Sequence, residues 1–117
     1  MSKKILHITG AMNIGGTETM LINLYRKVNS KIKFDFISYS DDKAYYDEEI
    51  KRLGGHIIRL RPPSEVGFFS AIRDIKDVIN KYGPYDVVHT HMLFNCGIAI
   101  IAAYLSKVKV RVSHAHT

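Results

Sequence analysis

The chain has 117 residues, enough for one domain of ordinary size and no more. Apolar residues make up 46% of it, which supplies a core without staples, and the single cysteine, Cys96, excludes an internal disulfide. A formal charge of +6 favours anionic partners such as phosphates or anionic lipid, but the basic residues are scattered rather than gathered in a stripe, which argues against nucleic acid.

Lys3 and Lys4 lead into a short apolar stretch, Ile5–Thr9, that reads as a buried strand. No secretory leader is expected there, and the longest apolar run, Gly97–Leu105, is about half the ~20 residues of a membrane span. The expected location is therefore the cytoplasm, with the inner face of a membrane as a peripheral contact. Gly10–Gly16 is a glycine-punctuated loop, and Met20, Leu21, Leu24, Tyr25 and Val28 then recur at helical spacing, predicting a helix over Thr17–Val28. Lys33–Tyr39 is a second strand. Tyr45–Leu53 is a second helix, closed by Gly54 and Gly55.

His56–Leu60 is a third strand, stopped by Pro62 and Pro63. Phe68, Ile72, Ile75, Ile79 and Tyr82 share one face of a long amphipathic helix that Gly83-Pro84 ends. In this reading Phe68 and Phe69 are core, although with Arg59 and Arg61 ahead of them they also suit a membrane surface. Tyr85–His91 is a fourth strand, Gly97–Lys107 a helix apolar all round and so buried, and Lys109–His114 a fifth strand. Strict alternation predicts an α/β, Rossmann-like, doubly wound parallel sheet of five strands in the order 3-2-1-4-5. A further helix would normally follow the fifth strand, so the end at His116-Thr117 reads as an interruption.

Such sheets bind ligands beyond the carboxyl ends of their strands, where strand order reverses. Here the reversal falls between strands one and four. It gathers Gly10–Gly16, His89 and His91, and His114 and His116, with Thr9, Thr90, Asn95 and Ser113 on the same rim. The loop Gly10-Ala11-Met12-Asn13-Ile14-Gly15-Gly16-Thr17 nearly fits a P-loop, but Gly16 stands where the lysine is required, which argues against NTP hydrolysis. It lacks the dinucleotide pattern too, although Asp41 and Asp42 stand where a ribose-binding acid would. Gly15 and Gly16 let a ligand approach backbone N–H groups at a helix start, a place that favours phosphate, unless the pair serves only a tight turn. Glu18 either complements the helix dipole or touches the ligand. His89 reads as a core residue and His91 as a ligand contact. Four histidines suggest zinc, but no carboxylate or thiolate set stands at recognised spacing, and no metal is expected. Cys96 reads as a small buried hydrophobe.

The strand Ile5-Leu6-His7-Ile8, the loop Asn13-Ile14-Gly15-Gly16-Thr17-Glu18, the stretch Tyr85–His91 and the ending Arg111–Thr117 together resemble the amino-terminal domain of family 4 retaining glycosyltransferases of GT-B architecture. Bacterial enzymes of capsular or exopolysaccharide synthesis are the nearest in character. The resemblance covers the whole chain and implies that residues 1–117 are the acceptor-side half, without the donor-holding carboxyl-terminal domain. It implies that Gly15, Gly16, Thr17 and Glu18 face the donor diphosphate, that His91 contacts the transferred sugar as the catalytic residue, and that His116 lines the cleft. It implies no cofactor beyond the nucleotide-sugar substrate, and a saccharide or lipid-linked acceptor. The fragment alone is then expected to be inactive. Three other readings stay open: a different Rossmann-type nucleotide-binding module, a GT-B sugar-nucleotide epimerase, and a non-catalytic interaction domain.

Overall fold

The structure, a computed structural model, describes residues 3–9, 16–39, 46–90, 96–108 and 110–113. Five strands, β1 (Lys3–Thr9), β2 (Ile32–Ser38), β3 (Ile57–Arg59), β4 (Val87–Thr90) and β5 (Val110–Ser113), form one sheet in the order β3-β2-β1-β4-β5. Every pairing is parallel, with Ile5 beside Phe34 and Val87. Five helices connect them: α1 (Gly16–Val28), α2 (Asp47–Arg52), α3 (Pro63–Val66), α4 (Phe68–Tyr82) and α5 (Cys96–Leu105). The expected fold class and strand order are those observed.

The strands are apolar on both faces because helices cover both. On one face Leu6, Ile8, Ile37 and Val88 pack against Ile72, Ile75 and Ile79 of α4 and Ala102 of α5. On the other, Phe34 and Phe36 pack against Leu21, Ile22 and Tyr25 of α1 and Ile50 of α2. The rings of Tyr25 and Phe34 stack at 4.7 Å between centroids. Arg26 of α1 holds Glu49 of α2 in a two-pronged ion pair, with one prong at 2.7 Å. That hydrogen bond keeps the Glu49 carboxyl below the usual carboxylate range.

Four expectations about helices need correction. In α1 the buried line is Leu21, Ile22 and Tyr25, while Met20 and Leu24 are exposed, so the apolar stripe is rotated from the expected one. Phe68 and Phe69 are not core: the buried stretch of α4 begins at Ala71, and the first turn overhangs it. α5 is not buried all round, because Ile101, Tyr104 and Leu105 face outward. It packs on α4 and the sheet and, among the described residues, has no cover on its remaining side. Finally, Pro62-Pro63 does not simply stop β3. Pro63 opens the short helix α3, a position where its missing N–H costs nothing.

Two glycine sites explain tight corners. At Gly55 a Cβ would lie 2.4 Å from the Phe34 carbonyl oxygen, so only glycine lets the chain re-enter beside β2. Gly67, between α3 and α4, has φ +90°, in the left-handed region that favours glycine.

At the amino ends of the strands lies a buried acid, Asp35, 1% exposed. Its carboxylate accepts a hydrogen bond from the His56 backbone N–H at 3.0 Å and one from the Tyr85 hydroxyl at 2.5 Å. The His56 ring nitrogen stands 3.1 Å away and the Lys4 ammonium 3.9 Å away. The same lysine lies over the Tyr85 ring, 5.2 Å from its centroid. A carboxylate this deep is tolerable only with such partners. They tie β1, β2, β3 and β4 together at one end. Replacing Asp35 by Ala is expected to cost about 3 kcal/mol, because it leaves the Tyr85 hydroxyl and a backbone N–H without their buried acceptor. Tyr85→Phe is expected to cost about half as much. Urea unfolding followed by circular dichroism checks both, and an unchanged midpoint for Asp35→Ala would remove the cluster from any structural role.

Three phenols make stability depend on alkaline pH, Tyr25 among them, raised chiefly by burial. Burial, reinforced by the Asp74 charge, pushes Tyr39 up to about 12 from its ordinary 10.0. Burial first, and then the hydrogen bond to Asp35, raises Tyr85 as well. The folded chain thus holds these protons more tightly than the unfolded chain. Their stabilisation is complete below the unfolded value of 10.0, and that of Tyr39 is lost as pH climbs from there through about 12. Denaturation midpoints should fall above pH 10, and less steeply in Tyr39→Phe. An identical decline in the variant would assign the effect elsewhere.

Candidate functional site

The reversal of strand order lies between β1 and β4, as expected. β1 leads to β2 and β3 on one side, and α4 then carries the chain back to β4 on the other side of β1. With the strands parallel, all their carboxyl ends share one edge. That edge is built of small hydroxyl residues: Thr9 pairs with Ser38, Thr90 pairs with Ser113, and Ile8 of β1 pairs with Thr90. Thr9, Ser38 and Thr90 are at most 3% exposed. Short polar residues at these positions keep the edge free of bulk.

One layer deeper, His7 of β1 is 3% exposed and lies opposite His89 of β4. Its ring meets Phe34 edge-on at 4.4 Å, stacks on Phe36 at 5.4 Å, and stands 5.5 Å from the His89 ring. His89 is half-buried in this aromatic layer, which fits the core role expected for it.

α1 begins at Gly16, and Gly16, Thr17 and Glu18 form its first turn. The leading N–H groups of a helix have no intrahelical acceptor and carry the positive end of its dipole. α1 packs on the β2 face that carries Phe34 and Phe36, with Thr19 and the Tyr46 hydroxyl 3.1 Å apart where α2 approaches. Beyond β3, Arg59 and the buried Asp47 at the start of α2 form an ion pair. Of the sequence-predicted site residues, Gly16, Thr17 and Glu18 open α1, in the connection from β1 to β2. Gly15, His91 and His116 lie outside the described residues, as do Asp41, Asp42, Asn95 and His114. Among the described residues no three His, Cys, Asp or Glu side chains gather as a metal site.

Sequence reasoning missed His7 and Ser38 on this edge, and Asp35, His56 and Lys4 at the opposite one. A signal existed for Asp35: an acid between Phe34 and Phe36 in a strand covered on both sides must be paired. A cavity of about 250 Å³ between Asn80, Tyr85, Ser106 and Lys107 lies at that opposite edge, away from the reversal.

These features define a Rossmann-like α/β domain whose strand order reverses between β1 and β4. Residues 14–117 match the family described as Glycosyltransferase Family 4, and the chain belongs to that family. It is 42% identical over 115 residues to EpsF of Bacillus subtilis (strain 168), a protein named for glycosyltransferase activity. It is 26% identical over 116 residues to CapH of Staphylococcus aureus, named as a capsular polysaccharide biosynthesis glycosyltransferase. Each alignment covers 97% of this chain, which spans 30% of the length of the first relative and 31% of the second. Among solved structures, Anabaena Alr3699/HepE, crystallised in complex with UDP and glucose, matches with a TM-score of 0.61 at 12% identity, over 92% of this chain and 28% of that one. The carboxyl-terminal domain of a Pyrococcus furiosus hydrogenase matches with a TM-score of 0.58 at 15% identity, over 97% of this chain and 94% of that one. These two likenesses concern the fold. No helix among the described residues is long and apolar enough to cross a membrane.

Proposed function

We propose that this chain is the amino-terminal, acceptor-side domain of a cytoplasmic glycosyltransferase that moves a sugar from a nucleotide-sugar to a saccharide or lipid-linked acceptor in cell-surface polysaccharide synthesis. The observation that carries the reading is the order of the elements. The sheet reverses between β1 and β4, and the connection that leaves β1 opens α1 on Gly16-Thr17-Glu18, in a chain 42% identical to a protein named as a glycosyltransferase. The name of CapH supports polysaccharide synthesis as the setting, and the UDP and glucose bound to HepE support a nucleotide-sugar as donor.

In this reading the backbone N–H groups at Gly15 and Gly16 receive the donor diphosphate. They stabilise the negative charge that grows on it as the bond to the sugar breaks. A side chain at position 16 would hold the phosphate away from those donors. Thr17 and Glu18 shape the same turn. His91, in the segment that follows β4, contacts the transferred sugar, and His116, in the segment that follows β5, lines the cleft. The reaction needs no metal, because fixed backbone dipoles supply the positive potential. The donor's nucleoside is held by a second domain outside these residues, and the acceptor brings the enzyme to an anionic membrane surface.

The test uses the longer parent protein and the 117-residue chain side by side. The parent should release nucleoside diphosphate from a nucleotide-sugar in the presence of acceptor. His91→Ala should lower kcat by about 10²-fold or more, and Gly16→Val should lower kcat/KM by a similar factor. Chelation should leave the rate unchanged. The 117-residue chain should show no transfer. Turnover by that chain alone, or full activity in both variants, would overturn the assignment, and tight binding of NAD in place of UDP would redirect it to a dinucleotide module.

A further inference from the structure

Among the described residues Phe69 is the most exposed large apolar side chain, at 82%, and its neighbour Phe68 is 50% exposed. Their rings pack edge to face, 5.2 Å apart, so each holds the other upright instead of folding down onto the protein. The backbone presents them on purpose-built geometry: α3 ends at Val66, Gly67 turns the chain at φ +90°, and α4 begins at Phe68. Nothing lies within 4 Å of a Cβ built on Gly67, so the corner stands clear of the rest of the fold.

The charge around the corner has a pattern. Phe69, Arg73, Lys76 and Asn80 are spaced i, i+4, i+7 and i+11 on α4, one stripe down the outer surface, with Ile72, Ile75 and Ile79 buried on the opposite side. Arg73 and Lys76 thus stand one and two turns behind the aromatic pair. Arg61 is exposed in the segment that leads into α3. Glu65 is the acid nearest in sequence, and Asp74, whose charge acts on Tyr39, and Asp77 lie beside the stripe on α4. An exposed aromatic pair backed by cations matches an interface with apolar chains below and anionic headgroups above.

We infer that the Phe68–Phe69 corner is the surface by which this domain seats on an anionic lipid bilayer. Both rings enter the headgroup–acyl boundary, and Arg61, Arg73 and Lys76 meet the headgroup phosphates. The corner follows β3 directly, so it lies on the carboxyl edge of the sheet, the same edge as the β1–β4 reversal. β3 is two strand spacings from β1, about 10 Å. Seating there brings the candidate site to the level of the headgroups, where a lipid-linked acceptor presents its polar end. The inference deepens the membrane part of the proposed function and rests on that reading only for its purpose, not for its test. The other exposed apolar face, Ile101, Tyr104 and Leu105 on α5, borders β5, which has a strand on one side only among the described residues. An open strand edge calls for hydrogen-bonding protein and not for lipid.

The chain has no tryptophan, so a single introduced indole reports its own surroundings. The 117-residue chain carrying Phe69→Trp is titrated with vesicles of phosphatidylcholine alone and of phosphatidylcholine with phosphatidylglycerol, with no sugar nucleotide present. On the anionic vesicles the emission should shift to the blue and be quenched by brominated acyl chains. Leu105→Trp should show neither change. In co-sedimentation, Phe68→Ser with Phe69→Ser should weaken binding by about tenfold or more. Arg61→Gln with Arg73→Gln should weaken it by about tenfold and remove most of its salt dependence. Both double variants should keep the native circular dichroism, since all four side chains are exposed. Equal binding by the serine variant, quenching at Leu105→Trp, or no vesicle binding would overturn the inference. So would a dimer in sedimentation that Phe69→Ser dissolves, because a second copy would then be the occupant. Transfer by the parent protein to a water-soluble acceptor is read separately. Its loss would strike the proposed function, whereas vesicle binding alone decides the corner.

Discussion

Parallel pairing is the constraint from which the rest follows. When every strand points the same way, each connection must return across the sheet, and right-handed crossovers decide which face it covers. Two consecutive crossovers, through α1 and α2, build the sheet outward from β1 to β3 over one face. The next must then lead back past β1, and α4 does so over the opposite face. The gap between β1 and β4 is thus a consequence of connectivity. No helix start has to be displaced to open it, because the two helices that begin beside it lie on opposite faces of the sheet.

The two edges of the sheet solve opposite problems. At the amino edge the chain arrives from helix ends, and the polar groups there are buried and must be paired with one another. Asp35 does this for four elements at once: His56 reaches it from the turn before β3, Tyr85 from the turn before β4, and Lys4 from β1. At the carboxyl edge the sheet ends in small hydroxyl residues, Thr9, Ser38, Thr90 and Ser113. Buried polar pairing is concentrated at the amino edge, and the aromatic layer of His7, Phe34, Phe36 and His89 lies between it and the carboxyl edge. A site built above such a layer has a floor that cannot yield without disturbing the core.

Much of this was legible in the residues, for identifiable reasons. The strands and the order of elements could be read because short apolar runs alternate with helical spacing, and parallel sheets admit few arrangements. α4 was read to the residue at both ends, Phe68 and Tyr82, since its stripe of isoleucines is unambiguous and Gly83-Pro84 closes it. Where apolar residues exceed what one face needs, periodicity lost its phase. α1 offers Met20, Leu21, Ile22, Leu24 and Tyr25, and only packing against Phe34 and Phe36 selects among them. Local spacing likewise says nothing about where a helix overhangs its sheet, which is why Phe68 and Phe69 read as core. The candidate site was legible in part. The reversal and the helix start at Gly16 follow from topology, whereas roles for Gly15, His91 and His116 come from family resemblance, because loop side chains carry no period.

Topology also limits how much of the function can reside in the sheet itself. The hydrogenase domain from Pyrococcus furiosus shares the fold over nearly its whole length, yet it is named for a different activity. The framework of five strands therefore does not choose the reaction. What differs between such proteins must lie in the segments that leave the carboxyl edge and in the surfaces that bring a partner to it. In this chain those segments begin at Thr9, Ser38, Arg59, Thr90 and Ser113, and the one that leaves Arg59 raises two phenylalanines clear of the core. Exposing that much apolar surface opposes folding and solubility unless something covers it. Its position at the carboxyl edge, with Arg61 and Arg73 beside it, puts that exposed surface at the end of the molecule where the strand order reverses.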